Sequence, residues 1–133
     1  MIELHDSKVE SIRIDDKNLV LVFSEAYVHQ SQGRPGLDRG TGWAQRIQLE
    51  FFRASLDGIP KALPDRISDG EFTVGKTAGF GIRLPFESNE PVLVSLIFQS
   101  GNEIQIFGER LTVIEHGPAR FVEDFPKLSL HVD

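Results

Sequence analysis

The side chains able to do chemistry are few and scattered. Histidines stand at His5, His29, His116 and His131, and there is no cysteine. No two histidines follow the His-x-His or His-x-x-x-His spacing, and zinc needs three or four converging ligands. The spacing therefore predicts neither a metal centre nor a cofactor, although a fold can bring His5 and His29 together across the hairpin they flank. His5-Asp6-Ser7 names the members of a hydrolase triad. Contiguous residues cannot, however, place nucleophile, base and orienting group in line. The local reading is that Asp6 or Ser7 accepts hydrogen bonds from nearby backbone and sets how the chain enters its first strand. Asp15-Asp16 lacks the further oxygens and closing glutamate of a calcium loop. Glycoside hydrolysis would need carboxylates on facing strands, but Glu25, Glu50, Glu103 and Glu115 fall on outward strand phases, where carboxylates are solvated.

One stretch gathers more. From Tyr27 to Trp43 the sequence reads YVHQSQGRPGLDRGTGW, with Gly33, Gly36, Gly40, Gly42 and Pro35 set among Arg34, Asp38 and Arg39. Its glycines match neither the phosphate-binding G-x-x-x-x-G-K-[ST] pattern nor a glycine turn opening a helix. Arg34-Pro35-Gly36-Leu37 fits a type II turn, with proline fixing φ and glycine accepting a positive one. The segment from Gln30 to Gly42 has no periodicity and reads as a long loop, and long loops are commonly functional or disordered. Arg, Tyr and Trp are enriched in binding hot spots. Tyr27, His29, Arg34, Asp38, Arg39 and Trp43 are therefore the candidate binding residues. Two readings stay open: a recognition loop, or a scaffold in which Trp43 anchors the segment in the core and Asp38 pairs with Arg34 or Arg39. A hydrolase using His29 with Asp38 is the catalytic alternative.

These residues must be positioned by strands. The chain has 133 residues, 40% hydrophobic and 26% charged, which is the composition of one globular domain and not of a disordered chain. Lys8–Ile14 and Asn18–Val28 alternate around the polar turn Asp15–Asn18, as a hairpin does. Leu19, Leu21 and Phe23 share one face, and Val20 and Val22 the other, so the second strand is expected to be central. Trp43–Leu56 is the next strand, and its apolar phase flips at Phe51-Phe52. That flip predicts a β-bulge there or a far half buried on both faces. Asp57–Asp69 reads as a connector, with Ile59 and Leu63 packing down. Glu71–Val74 is a short strand, followed by a turn at Gly75–Gly79. Phe80, Ile82, Leu84 and Phe86 alternate up to the break at Pro85. Val92–Gln99 is central and joined by a hairpin to Glu103–Phe107, with Leu111–Glu115 beyond. Phe121, Val122 and Phe125 fit one helical turn ended by Pro126, and Leu128–Val132 fits a final edge strand. The fold class is all-β: an antiparallel meander of eight or nine strands, as a two-sheet sandwich or an up-and-down barrel. In the barrel, Phe23, Phe51, Phe80 and Phe98 would line a ligand cavity.

The net charge of -6 is uneven. Residues 1–32 carry three basic and six acidic side chains, 33–83 eight and six, and 84–133 three and eight. The small central excess is too weak for the basic stripe of a nucleic-acid binder. No apolar run reaches the ~18 residues of a membrane span. The absence of cysteine fits a reducing, cytoplasmic setting. Leu4-His5-Asp6-Ser7, followed at once by a β-hairpin, resembles the opening of several bacterial families of small β proteins, one group of which is proposed as immunity proteins to polymorphic toxins. The resemblance covers only the opening of the chain. It implies a protein-interaction role and no catalytic residues. The expectation is thus a non-enzymatic binding module whose partner is a protein or a second copy of itself through edge strands, with no nucleic acid, membrane, metal or cofactor. A small-ligand-binding barrel is the alternative.

Overall fold

Alternating apolar residues over long stretches, many of them β-branched or aromatic, favour pleated strands with one face buried. The structure, a computed structural model, describes residues 1–31 and 40–125. Its strands are β1 (Ile2–Asp15), β2 (Asn18–Ser31), β3 (Gly40–Phe52), β4 (Ser55–Asp57), β5 (Asp65–Val74), β6 (Thr77–Gly79), β7 (Gly81–Ile82), β8 (Val92–Phe98), β9 (Glu103–Gly108) and β10 (Arg110–Phe125). All pairings are antiparallel, and the ten strands form one sheet in the order β10-β3-β2-β1-β5-β8-β9-β4, with β6 on β5 and β7 on β1. The all-β, antiparallel class is as the sequence predicts. The sheet is not closed into a barrel.

The connectivity departs from a plain meander. Strands β1, β2 and β3 follow one another, as do β8 and β9, but β4 lies beside β9 and β10 beside β3. The cause is a corner. The chain turns out of β3 at Arg53, whose φ is 47°. Opposite this turn, Glu109 between β9 and β10 donates its N–H to the Phe52 carbonyl at 2.8 Å. The β3–β10 ribbon thereby bends into the β4–β9 ribbon. The half built on β1, β2, β3 and β10 and the half built on β5, β8 and β9 share one core. Leu19, Leu21, Phe23, Ile47, Leu49 and Phe51 come from the first half and Ile67, Val94, Leu96, Phe98, Ile104 and Ile106 from the second, each no more than 2% exposed. Each such side chain stabilises the fold by about 2 kcal/mol relative to exposure. The halves approach closely at Gly70 on β5, where a Cβ would stand 2.7 Å from the Cβ of Leu4.

Several local expectations are corrected. Phe51-Phe52 carries no bulge: Phe51 and Phe52 pair Leu111 and Arg110 in unbroken register. The phase flip marks the end of β3 before the corner, and Phe52 is 37% exposed beneath the Arg110 guanidinium, 4.5 Å from the ring centroid. The register shifts lie elsewhere, in β1 between Glu3 and Ser11, in β2 between Phe23 and Ala26, in β5 between Ile67 and Asp69, and in β10. Residues 121–125 are not a helical turn but the end of β10, because the β3 edge supplies backbone partners that a lone turn of helix lacks. No helix occurs among the described residues. The connector 57–69 contains the start of β5, and the turn at 75–79 contains β6. Ile59 is 69% exposed and does not pack down, whereas Leu63 packs against the core. Gln30, Ser31 and Gly40–Gly42 continue the β2–β3 ladder, so the loop is shorter than Gln30–Gly42. The type II turn at 34–37 and the strand at 128–132 lie outside the described residues.

The four phenylalanines proposed to line a cavity do not converge. Phe23, Phe51 and Phe98 are core residues, while Phe80 is 73% exposed.

Candidate functional site

The Leu4-His5-Asp6-Ser7 motif lies inside β1 and breaks its ladder. Glu3 faces Tyr27 and Lys8 faces Glu25, so the four residues between Glu3 and Lys8 are opposed by one residue of β2, Ala26. Extra residues on one strand leave backbone groups unpaired. Ser7 serves them: its Oγ donates to the Glu3 carbonyl at 2.6 Å and accepts the Tyr27 N–H at 2.9 Å. Asp6 takes φ 70° in the break. Ser7 is fully buried, while His5 and Asp6 point outward with side chains 52% and 60% exposed. Ser7 thus bonds to backbone, as expected, but from within β1 rather than at its entry and with one partner across the strand pair, and its buried hydroxyl is inaccessible as a nucleophile.

The break presents Glu3 to the adjoining strand. His29 Nδ1 lies 3.1 Å from Glu3 Oε1, and the His29 side chain is 5% exposed. His5 Nδ1 stands 4.0 Å from the other Glu3 oxygen and His5 Nε2 3.3 Å from Asp6. The fold thus brings His5 and His29 to one carboxylate. No group of three or more His, Asp or Glu among the described residues is arranged to hold a metal ion. Two positions before His29, on the same face of β2, the Tyr27 hydroxyl donates to Glu123 of β10. Burial first, then the Glu123 hydrogen bond and the charges of Glu123, Glu3 and Asp6, push the Tyr27 phenol well above its usual range. The phenol therefore stays protonated and acts as a donor.

Trp43 is on the other face. It pairs directly with Val28 on β2 and with Phe121 on β10, and side chains alternate along β2, so Trp43 and Val28 face away from Tyr27 and His29. Its indole N–H donates to Thr41 Oγ1 at 2.7 Å. Its ring packs against the core on one side and meets Phe121 edge to face, with centroids 5.5 Å apart and planes at 80°. Phe121 and Val122 remain 49% and 43% exposed. The three predicted residues that are described therefore do not form one cluster. Tyr27 and His29 belong to a hydrogen-bonded polar face with Glu3 and Glu123, Trp43 belongs to an aromatic edge with Phe121, and Arg34, Asp38 and Arg39 lie outside the described residues.

Glu3, Glu123 and Phe121 were invisible as site residues in sequence. Glu3 acts across a strand pair, and Phe121 carries no signal until β10 is seen to lie against β3. A described partner of His29 is Glu3, and Asp38, the other half of the expected dyad, lies outside the described residues. No helix among the described residues is long and apolar enough to cross a membrane. Comparison with known proteins returns no match: no family model, no curated protein and no solved structure is significantly similar to this chain.

Proposed function

We propose that the chain is a non-enzymatic protein-binding module whose contact surface is the aromatic edge formed where the start of β3 pairs with the end of β10. The observation that carries this reading is the half-exposed Phe121, set edge-on against Trp43 with Val122 beside it. An exposed aromatic anchor braced by a partly buried neighbour that itself packs on the core is a common form of binding hot spot. The buried Ser7 and His29 support a binding role over catalysis. A cytoplasmic, bacterial, immunity-type role is the specific form that the opening resemblance implies, and the lack of cysteine is compatible with it.

The partner is a different protein rather than a second copy. Among the described residues β10 ends the sheet, but two register shifts and Pro118 interrupt it, and β4 at the other end has only three residues. Bulges, prolines and short edge strands blunt edge-to-edge pairing.

The test is crosslinked capture from the source organism with wild type and Phe121→Ser in parallel, followed by titration of the recovered protein in purified form. The expected result is binding weakened at least about tenfold by Phe121→Ser, as for a hot-spot residue. Equal binding by both would remove the aromatic edge from the function.

A further inference from the structure

A second site lies away from the aromatic edge, where the β5–β6 hairpin meets the segment between β7 and β8. A cleft of about 590 Å³ opens there, within the size range of small-molecule sites. Its apolar wall is the ring pair Phe72 and Phe86, edge to face with centroids 5.6 Å apart. Its charged lining is Arg83, Glu87 and Glu90. Among the described residues none of these three forms an ion pair. The opposite wall is β6, whose Gly79 pairs with Phe72 and has nothing within 4 Å of where a Cβ would sit. The two sides are tied together by the Gly75 N–H donating to the Pro91 carbonyl at 3.0 Å.

This combination specifies a ligand chemistry. The rings take an apolar body. A guanidinium without a protein carboxylate takes a carboxylate, which it can grip with two parallel hydrogen bonds. Two carboxylates without a protein cation take an ammonium. We infer that this cleft binds a zwitterionic apolar amino acid or short peptide, with its carboxylate on Arg83, its ammonium at Glu87 and Glu90 and its side chains against Phe72 and Phe86.

The test is amide NMR titration of the full chain with three ligands that share one body: leucyl-phenylalanine, its N-acetyl derivative and its C-terminal amide. Leucyl-phenylalanine should give saturable shifts confined to residues 77–79 and 83–90, and each derivative should bind about tenfold more weakly, the loss expected for one charge-assisted hydrogen bond. Arg83→Gln should weaken leucyl-phenylalanine and the N-acetyl form but leave the amide unchanged. Glu87→Gln with Glu90→Gln should do the converse. Gly79→Phe, which fills open space, should abolish binding of all three with the amide spectrum otherwise retained. No saturable shift at millimolar ligand, equal affinity for all three ligands, or binding undiminished in Gly79→Phe would each overturn the assignment.

Discussion

In β1 the ladder to β2 breaks between Glu3 and Lys8, and in β10 the ladder to β3 breaks between His116 and Arg120. The first break is central, with β2 on one side and β5 and β7 on the other. The second is on an edge. The central break is closed from within: Ser7 Oγ satisfies one donor and one acceptor of the backbone at full burial. At the edge break the Gln45 amide donates to the Gly117 carbonyl at 3.2 Å, an exposed contact. Both use a left-handed residue, Asp6 at φ 70° and Gly117 at φ 69°. The difference shows what an irregularity requires. Where water cannot reach, a side chain must replace the missing ladder bonds; at an edge a glycine suffices, and the bulge also deters unwanted pairing.

The strongest way to break this comparison is Ser7→Ala. It strands the Tyr27 N–H and the Glu3 carbonyl and should cost about 2–4 kcal/mol in urea unfolding. A loss below about 1 kcal/mol would mean that water enters the central break after all. Gly117→Ala should cost only about 1 kcal/mol, because its Cβ meets nothing and the whole effect is the left-handed backbone. Asp6→Gly relieves the same backbone preference at the central break and should raise stability by about 0.5–1 kcal/mol. A loss there would show that the Asp6 side chain contributes to the closure. Phe121→Ser, exposed on the edge strand, should leave stability within about 0.5 kcal/mol of wild type. Any partner affinity that it lowers is then a surface effect.

A pH series sharpens the same contrast. The Tyr27 phenol is raised in the folded state, so its contribution is fully present below the unfolded phenol value near 10.0 and is lost as pH rises beyond it. Wild-type stability should therefore fall with increasing alkalinity more steeply than that of Tyr27→Phe. Parallel alkaline limbs would remove the Tyr27–Glu123 bond from the account of stability. Asp65 runs the other way. Hydrogen bonds from Ser100 and the Arg66 backbone hold its carboxyl below the usual range. Its contribution is present above the unfolded value and lost as pH falls through the lowered one, so the gap between wild type and Asp65→Asn should close in acid.

Much of this protein is legible in its sequence because strand periodicity is a local property. The alternation of Leu19, Leu21 and Phe23, and of Ile47, Leu49 and Phe51, determined both the strands and their core faces, since a side chain's face follows from its parity along the strand. Half of Ser7's role was legible for the same reason, because its bond to the Glu3 carbonyl spans four residues, whereas its bond from the Tyr27 N–H crosses to β2. What only the tertiary structure decided involves partners distant along the chain. Whether residues 121–125 coil or extend depended on the free edge of β3. The pairing of Trp43 with Phe121, and of Tyr27 with Glu123, followed from β10 crossing to that edge. The separation of Trp43 from Tyr27 and His29 follows from register, because pairing Trp43 with Val28 puts Trp43 on the opposite face. Composition alone cannot set that register; it is chosen by which pairing buries both halves of the sheet in one core.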